Sequence, residues 1–288
     1  MHAALLTFAS LAASAIAVIP PTKMGCLTTP PSTIQKEVHQ NLALMEAAAA
    51  SSVNALVARA TVYVPTYVHV VSASNQASDG YLSSSTITKQ MEMLNQYFQG
   101  TGFQFTLENT DWNVNSNWAY NNDEYGMKKT LRKGDYRSLN LYYISDIGNG
   151  NTGFCKYPVT TSTGSDDFYY DGCVMSAWTA PGGVSPSGST IYSTGKITVH
   201  EVGHWSNLIH TFEGNDCNGY GDYVDDTPAE ASAAYGCQTS RDSCPDLPGN
   251  DPVTNHMDYS DDNCKTQFTP GQIDRMVSSY NYYRLNSQ

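Results

Sequence analysis

Charge is scarce in this 288-residue chain: Asp, Glu, Lys and Arg make up 15%, against roughly 25% in an average soluble protein. Cations are the scarcer sign, with 15 Lys and Arg against 27 Asp and Glu, a net charge of −12. So few cations argue against displacing counterions from nucleic acid, and against binding an anionic membrane. The acidic balance leaves room for calcium or cationic partners. After the first 19 residues no apolar run approaches the ~20 residues of a membrane-spanning helix. There is no Asn-x-Ser/Thr sequon and no internal repeat. What is present is a 40% hydrophobic fraction, enough to bury a core and exclude global disorder. Twenty Tyr and few Lys give the composition of a secreted protein.

Residues 1–19 are uncharged and mostly apolar, and Ala15-Ile16-Ala17 supplies a small-residue cleavage site before Pro20-Pro21. The expectation is a signal peptide over residues 1–17 and an extracellular destination. Seven cysteines fit an oxidising compartment; six can pair, and six lie after residue 150. Cys26 stands apart in a Pro/Thr-rich stretch.

Ile34 to Arg59 is Ala-rich with apolar residues near helical spacing, and Ser32 or Thr33 is a candidate N-cap. At residue 61 the composition switches to TVYVPTYVHVVS, which predicts a strand. A helix is predicted over 86–98, strands over 103–108, 139–145 and 174–178, and a short basic helix end over 128–134. Segment 211–256 is poor in apolar residues and cannot build a core, so disulfides or metal must hold it. Thr269-Pro270-Gly271-Gln272 starts a last helix.

The sharpest motif is His200-Glu201-Val202-Gly203-His204 followed by His210. Residues four apart share a helix face, so His200 and His204 aim at one cation while Glu201 reaches a water beside it. That pattern suits zinc hydrolysis. His210 lies off that face unless the chain reverses between it and His204. Asn207 stands where the reversal is needed, and Asn tolerates the left-handed conformation second only to Gly.

The His-Glu-x-x-His-x-x-x-x-x-His pattern resembles the metzincin metallopeptidases. HEVGHW, IHTFEG, GDYVDDTPAE, RDSCPD and NHMDYSDDNC resemble their pappalysin family, and within it the secreted extracellular metalloproteases of fungi. The similarity runs from residues 63–71 to 268–276; the one departure is Asn207 for Gly. It implies an α+β fold: a twisted mixed β-sheet with the active-site helix, then an irregular disulfide-bonded C-terminal subdomain from about residue 211. It implies a zinc endopeptidase acting on proteins or peptides as a monomer. His200, His204 and His210 are the implied zinc ligands, Glu201 the general base, Met257 the turn beneath the metal and Tyr259 the oxyanion donor. The implied disulfides are Cys217–Cys244, Cys237–Cys264 and Cys155–Cys173. Cys26 is then a switch in a propeptide over residues 18–60, ahead of a catalytic domain at 61–288. Asp222, Asp225 and Asp226 are candidate calcium ligands, and Asp262 a candidate selector of Arg or Lys. Three alternatives remain at this stage: Asp216 as third ligand in a deuterolysin-like site, a thermolysin-like Glu213 or Glu230, and a non-catalytic zinc-binding or adhesion protein.

Overall fold

The computed structural model describes residues 23–50 and 61–285. The expected signal peptide and the end of the expected propeptide lie outside the described residues. The elements run α1 (Thr33–Ala50), β1 (Val62–Ser72), α2 (Ser84–Tyr97), β2 (Phe103–Val114), α3 (Ser116–Ala119), α4 (Glu124–Leu131), β3 (Leu139–Ile144), β4 (Gly153–Cys155), α5 (Asp166–Tyr170), β5 (Cys173–Ser176), α6 (Lys196–Trp205) and α7 (Pro270–Tyr280).

The sheet has the order β2-β1-β3-β5-β4. The first four strands in that order are parallel, and β4 runs antiparallel to β5 at the edge. Alternation of side chains across a strand sorts the core. Leu141 and Tyr143 of β3 join Val64, Val68 and Val70 of β1 under α2 and α6. Tyr142 and Ile144 face the other way, against Met127 and Leu131 of α4. Burial on both faces explains why β3 reads as the nearly unbroken run LNLYYI.

Helix ends follow their capping chemistry. Ser32 Oγ accepts from Gln35 N–H while Gln35 Oε1 accepts from Ser32 N–H, a reciprocal pair that starts α1. Ser83 caps α2, and Thr269 with Gln272 forms the same box at α7. The helix expected over 86–98 spans Ser84–Tyr97 and the one expected to end at 134 ends at Leu131, and two strand boundaries also differ from the sequence expectation. β2 continues to Val114 because β1 offers it a partner as far as Ser72. β5 ends at Ser176, where the chain turns into a 3-10 helix over Ala177–Thr179.

Between α6 and α7 the chain has no helix or strand. Two disulfides hold it, Cys217–Cys244 and Cys237–Cys264, and the third, Cys155–Cys173, joins β4 to β5. Arg241 adds ion pairs to the buried Glu230 and Asp251. α1 packs along α7 through Arg275, whose guanidinium is buried against His39 and Glu46.

Candidate metal centre

α6 is buried along its whole length, beneath β4 and β5. His200 and His204 stand one turn apart on it. The helix then stops in a Schellman arrangement: Leu208 N–H donates to Gly203 O and Asn207 N–H to His204 O, both at 2.9 Å. Asn207 takes the left-handed conformation, φ 72°, and its amide donates to Ser279 Oγ at 2.9 Å. This reversal returns His210 to the two helix histidines. His204 Nε2 lies 3.1 Å from both His200 Nε2 and His210 Nε2.

The donor set fits zinc. A tetrahedral ion with Zn–N bonds of about 2.0–2.1 Å separates its nitrogens by roughly 3.3 Å. His200 Nδ1 donates to His256 O at 2.7 Å and His204 Nδ1 to Leu208 O at 2.8 Å. Those bonds leave each Nε2 with its lone pair facing the cluster. Burial also holds the rings neutral, pushing His204 down to about 4 and His200 and His210 well below their ordinary value. Ligand atoms of Cys26, His200, His204 and His210 all lie within 4.8 Å of one another.

Glu201 is fully buried beside this cluster. Its Oε2 receives Thr28 Oγ1 at 3.3 Å and faces Cys26 Sγ at 3.6 Å. Its Oε1 has no hydrogen-bond partner. Burial pushes the carboxyl up to about 8. Gly153 leaves room for it, since a Cβ there would sit 2.8 Å from Oε1. Below the helix, the Met257 sulfur fills the space that a side chain on Gly203 would need. Tyr259 packs its ring on His210, centroids 5.0 Å apart, and donates its hydroxyl to Cys26 O at 3.3 Å.

Other expected residues are placed elsewhere. Asp216 is exposed and accepts Asn218 N–H, away from the histidines. Glu230 is bound to Thr211 and Arg241. The acidic loop does not converge as a calcium site would. Asp222 accepts from Val224 N–H and Gln272, Asp226 binds Thr269 and Gly271 at the start of α7, and Asp225 is exposed. Among the described residues, the histidine cluster is the one group of such donors. Asp262 is fully buried: Thr194 binds its Oδ2, while its Oδ1 has no hydrogen-bond partner and lies 3.5 Å from Lys265 Nζ. Sequence reasoning missed Thr28 and Tyr157. Tyr157 stacks edge-on to His204 at 5.5 Å with its buried hydroxyl unpartnered. Neither belongs to a local pattern that a sequence displays.

Three neutral imidazoles that could hold a cation lie next to a sequestered carboxylate, donors of the kind a zinc-dependent peptidase uses. Residues 129–281 match the profile of peptidase family M43, described as pregnancy-associated plasma protein-A. The chain belongs to this pappalysin family. It is 48% identical to an extracellular metalloprotease of Neurospora crassa, covering 91% of this chain and 90% of that one. Against an extracellular metalloprotease of Pyricularia oryzae the identity is 45%, over 96% and 95% of the two chains. Among solved structures, mature Tannerella forsythia mirolysin with a cleaved peptide superposes with TM-score 0.62 at 24% identity, over 77% of this chain and 93% of that one. A promirolysin mutant gives 0.66 at 22% identity, over 86% and 87%. Those two likenesses show that the chain shares the mirolysin fold. The protein is an extracellular zinc metalloprotease that acts on proteins or peptides.

Proposed function

We propose that the chain is made as a latent endopeptidase in which His200, His204 and His210 hold the zinc, Glu201 moves the proton and Cys26 masks the site. The observation that carries this reading is the meeting of three imidazole Nε2 atoms, the Glu201 carboxylate and the Cys26 sulfur within one buried volume. When bound, zinc supplies a Lewis acid that polarises a carbonyl and activates water. Glu201 accepts the proton of the attacking water at Oε1, the oxygen without a partner, and delivers it to the departing amine nitrogen. The Tyr259 hydroxyl, now spent on Cys26 O, serves the developing oxyanion once that carbonyl is gone.

Latency follows from how residues 25–28 lie. Thr152 N–H donates to Gly25 O and Leu27 N–H to Gly153 O, both at 2.9 Å, so the segment adds to the edge of β4. A substrate backbone needs the same edge. Cys26 Sγ sits 3.5 Å from His204 Nε2, where a thiolate competes with water for the metal. Residues 18–60 are the removable propeptide.

Glu201→Gln is expected to retain one zinc per chain by metal analysis and to lose about 10²–10⁴-fold in casein cleavage. Chelation of the unaltered enzyme abolishes the same activity, and added zinc restores it. Cys26→Ser in the full chain is expected to raise activity before any cut only in part, because residues 25–28 still cover the β4 edge, and N-terminal sequencing of the fully active form begins near residue 61. Cleavage at the unaltered rate by the Gln variant removes Glu201 from its role.

A further inference from the structure

Met24 lies two residues before the Cys26 thiol and is 2% exposed. Its side chain enters the main core, and its sulfur lies 3.3 Å from Lys265 Nζ. Lys265 is fully buried, with its ammonium 3.5 Å from Asp262 Oδ1 and 5.6 Å from the Tyr192 ring centroid. The second Asp262 oxygen takes the Thr194 N–H at 3.1 Å and its hydroxyl at 2.7 Å. Lys196 Nζ pins the same turn by donating to Asp262 O and Lys265 O at 2.6 and 2.7 Å. Tyr192 donates to Tyr259 O at 3.3 Å, which ties this cavity to the histidine cluster. Lys265 is also close enough for its charge to act on His200 and Glu201.

We propose that the cavity filled by Met24 receives a substrate side chain beside the scissile bond, and that Lys265 makes it select unbranched, uncharged side chains of the Met or Gln kind and reject Arg and Lys. This rests on the peptidase reading above. Asp262 alone at this depth would attract a cation, but its charge is already answered within the chain. An incoming guanidinium or ammonium would meet Lys265 with little water between them, and a buried like-charge contact is a strong device for rejection. A thioether or amide oxygen instead offers the ammonium a weak or good acceptor. The methylene chain of such a residue fills the same apolar length that Met24 fills.

The test uses the full-length secreted chain after activation, on a peptide library varied on both sides of the cut. At one of the two positions flanking the cut, Met and Gln are expected to be enriched, with Arg and Lys cleaved at least 10-fold less well. Lys265→Met is expected to raise kcat/KM for Arg relative to Met by 10-fold or more, because Asp262 then faces the cavity unanswered. Should that variant fail to fold, Asp262→Asn in the Lys265→Met background removes both charges and should keep the Met preference without gaining Arg. A second readout needs no turnover. The peptide of residues 23–28 is titrated onto the activated protein with Met, Gln or Arg at position 24, and the Arg form should bind at least 10-fold more weakly. A preference for Arg or Lys, or an unchanged profile in a folded Lys265→Met enzyme, overturns the proposal. If no peptide is cut but the binding order holds, the peptidase reading fails and the pocket stands.

Discussion

Asn207 carries the reversal on which His210 depends. At φ 72° a residue with a Cβ pays roughly 1–2 kcal/mol, and Asn offsets part of this through its amide bond to Ser279. Asn207→Ala therefore loses about 1 kcal/mol more from that hydrogen bond. That cost of about 1 kcal/mol should appear as lower thermal stability and as zinc affinity weakened up to about 5-fold in chelator competition. Asn207→Gly relieves the backbone but forfeits Ser279, and is expected to stay within about 1 kcal/mol of the parent. At this scale the sequence discloses what local geometry dictates. His200, Glu201 and His204 are legible because helical spacing fixes their faces, and Asn207 because few residues accept its conformation. Lys265 and Thr28 are not legible, since their partners Met24 and Glu201 are 241 and 173 positions away.

Among elements, the contact of α1 with α7 turns on one histidine. His39 is buried beside Arg275, stacks on Tyr223 at 5.7 Å and has no partner for Nε2. Burial, with Arg275 adding to it, pushes its pKa down to about 3. Such a depressed value means that docking of α1 is fully favoured above the free value of about 6.5 and weakens as pH falls toward 3. At pH 5 the loss is about 2 kcal/mol, or roughly 30-fold in the docking equilibrium. Glu46 on α1 and Asp222 across from it also face Arg275, so the His39→Gln variant is needed to isolate the slope. The protection factors of α1 amides in the full chain, with the intrinsic pH dependence of exchange divided out, should fall between pH 6.5 and 5, and this fall should flatten in His39→Gln. Capped helices and long strands such as α1, α2, α7, β1 and β3 could be read from the sequence because caps and periodicity are local. β4, three residues in a Gly/Ser/Asp-rich stretch, exists only because β5 pairs with it, and no neighbour-level signal announces it.

At the scale of the whole molecule, a cored half with a sheet meets a half held by cross-links. Among the described residues, the small cluster Ala234, Val253 and Cys264 is the one separate apolar group in the second half. Cys237–Cys264 closes a loop of sequence separation 27, worth about 3.5 kcal/mol in the chain-entropy account. Replacing both cysteines by Ala should lower the melting temperature and cost activity, because the bridge is fastened to the turn that carries Met257 and Tyr259. A variant with unchanged melting and turnover would contradict that. The need for cross-links was visible in composition, whereas the course of residues 206–268 was not, since long-range contacts alone determine it. The N-terminal segment grips the body at two distant places, residues 24–28 over the histidines and residues 39–46 on α7. Each grip holds the other near its seat at a high effective concentration, as the two arms of a chelate do. A scission near residue 61 turns that intramolecular ligand into a dilutable one, and a second cut between residues 28 and 39 splits its two arms, so that neither supports the other any longer.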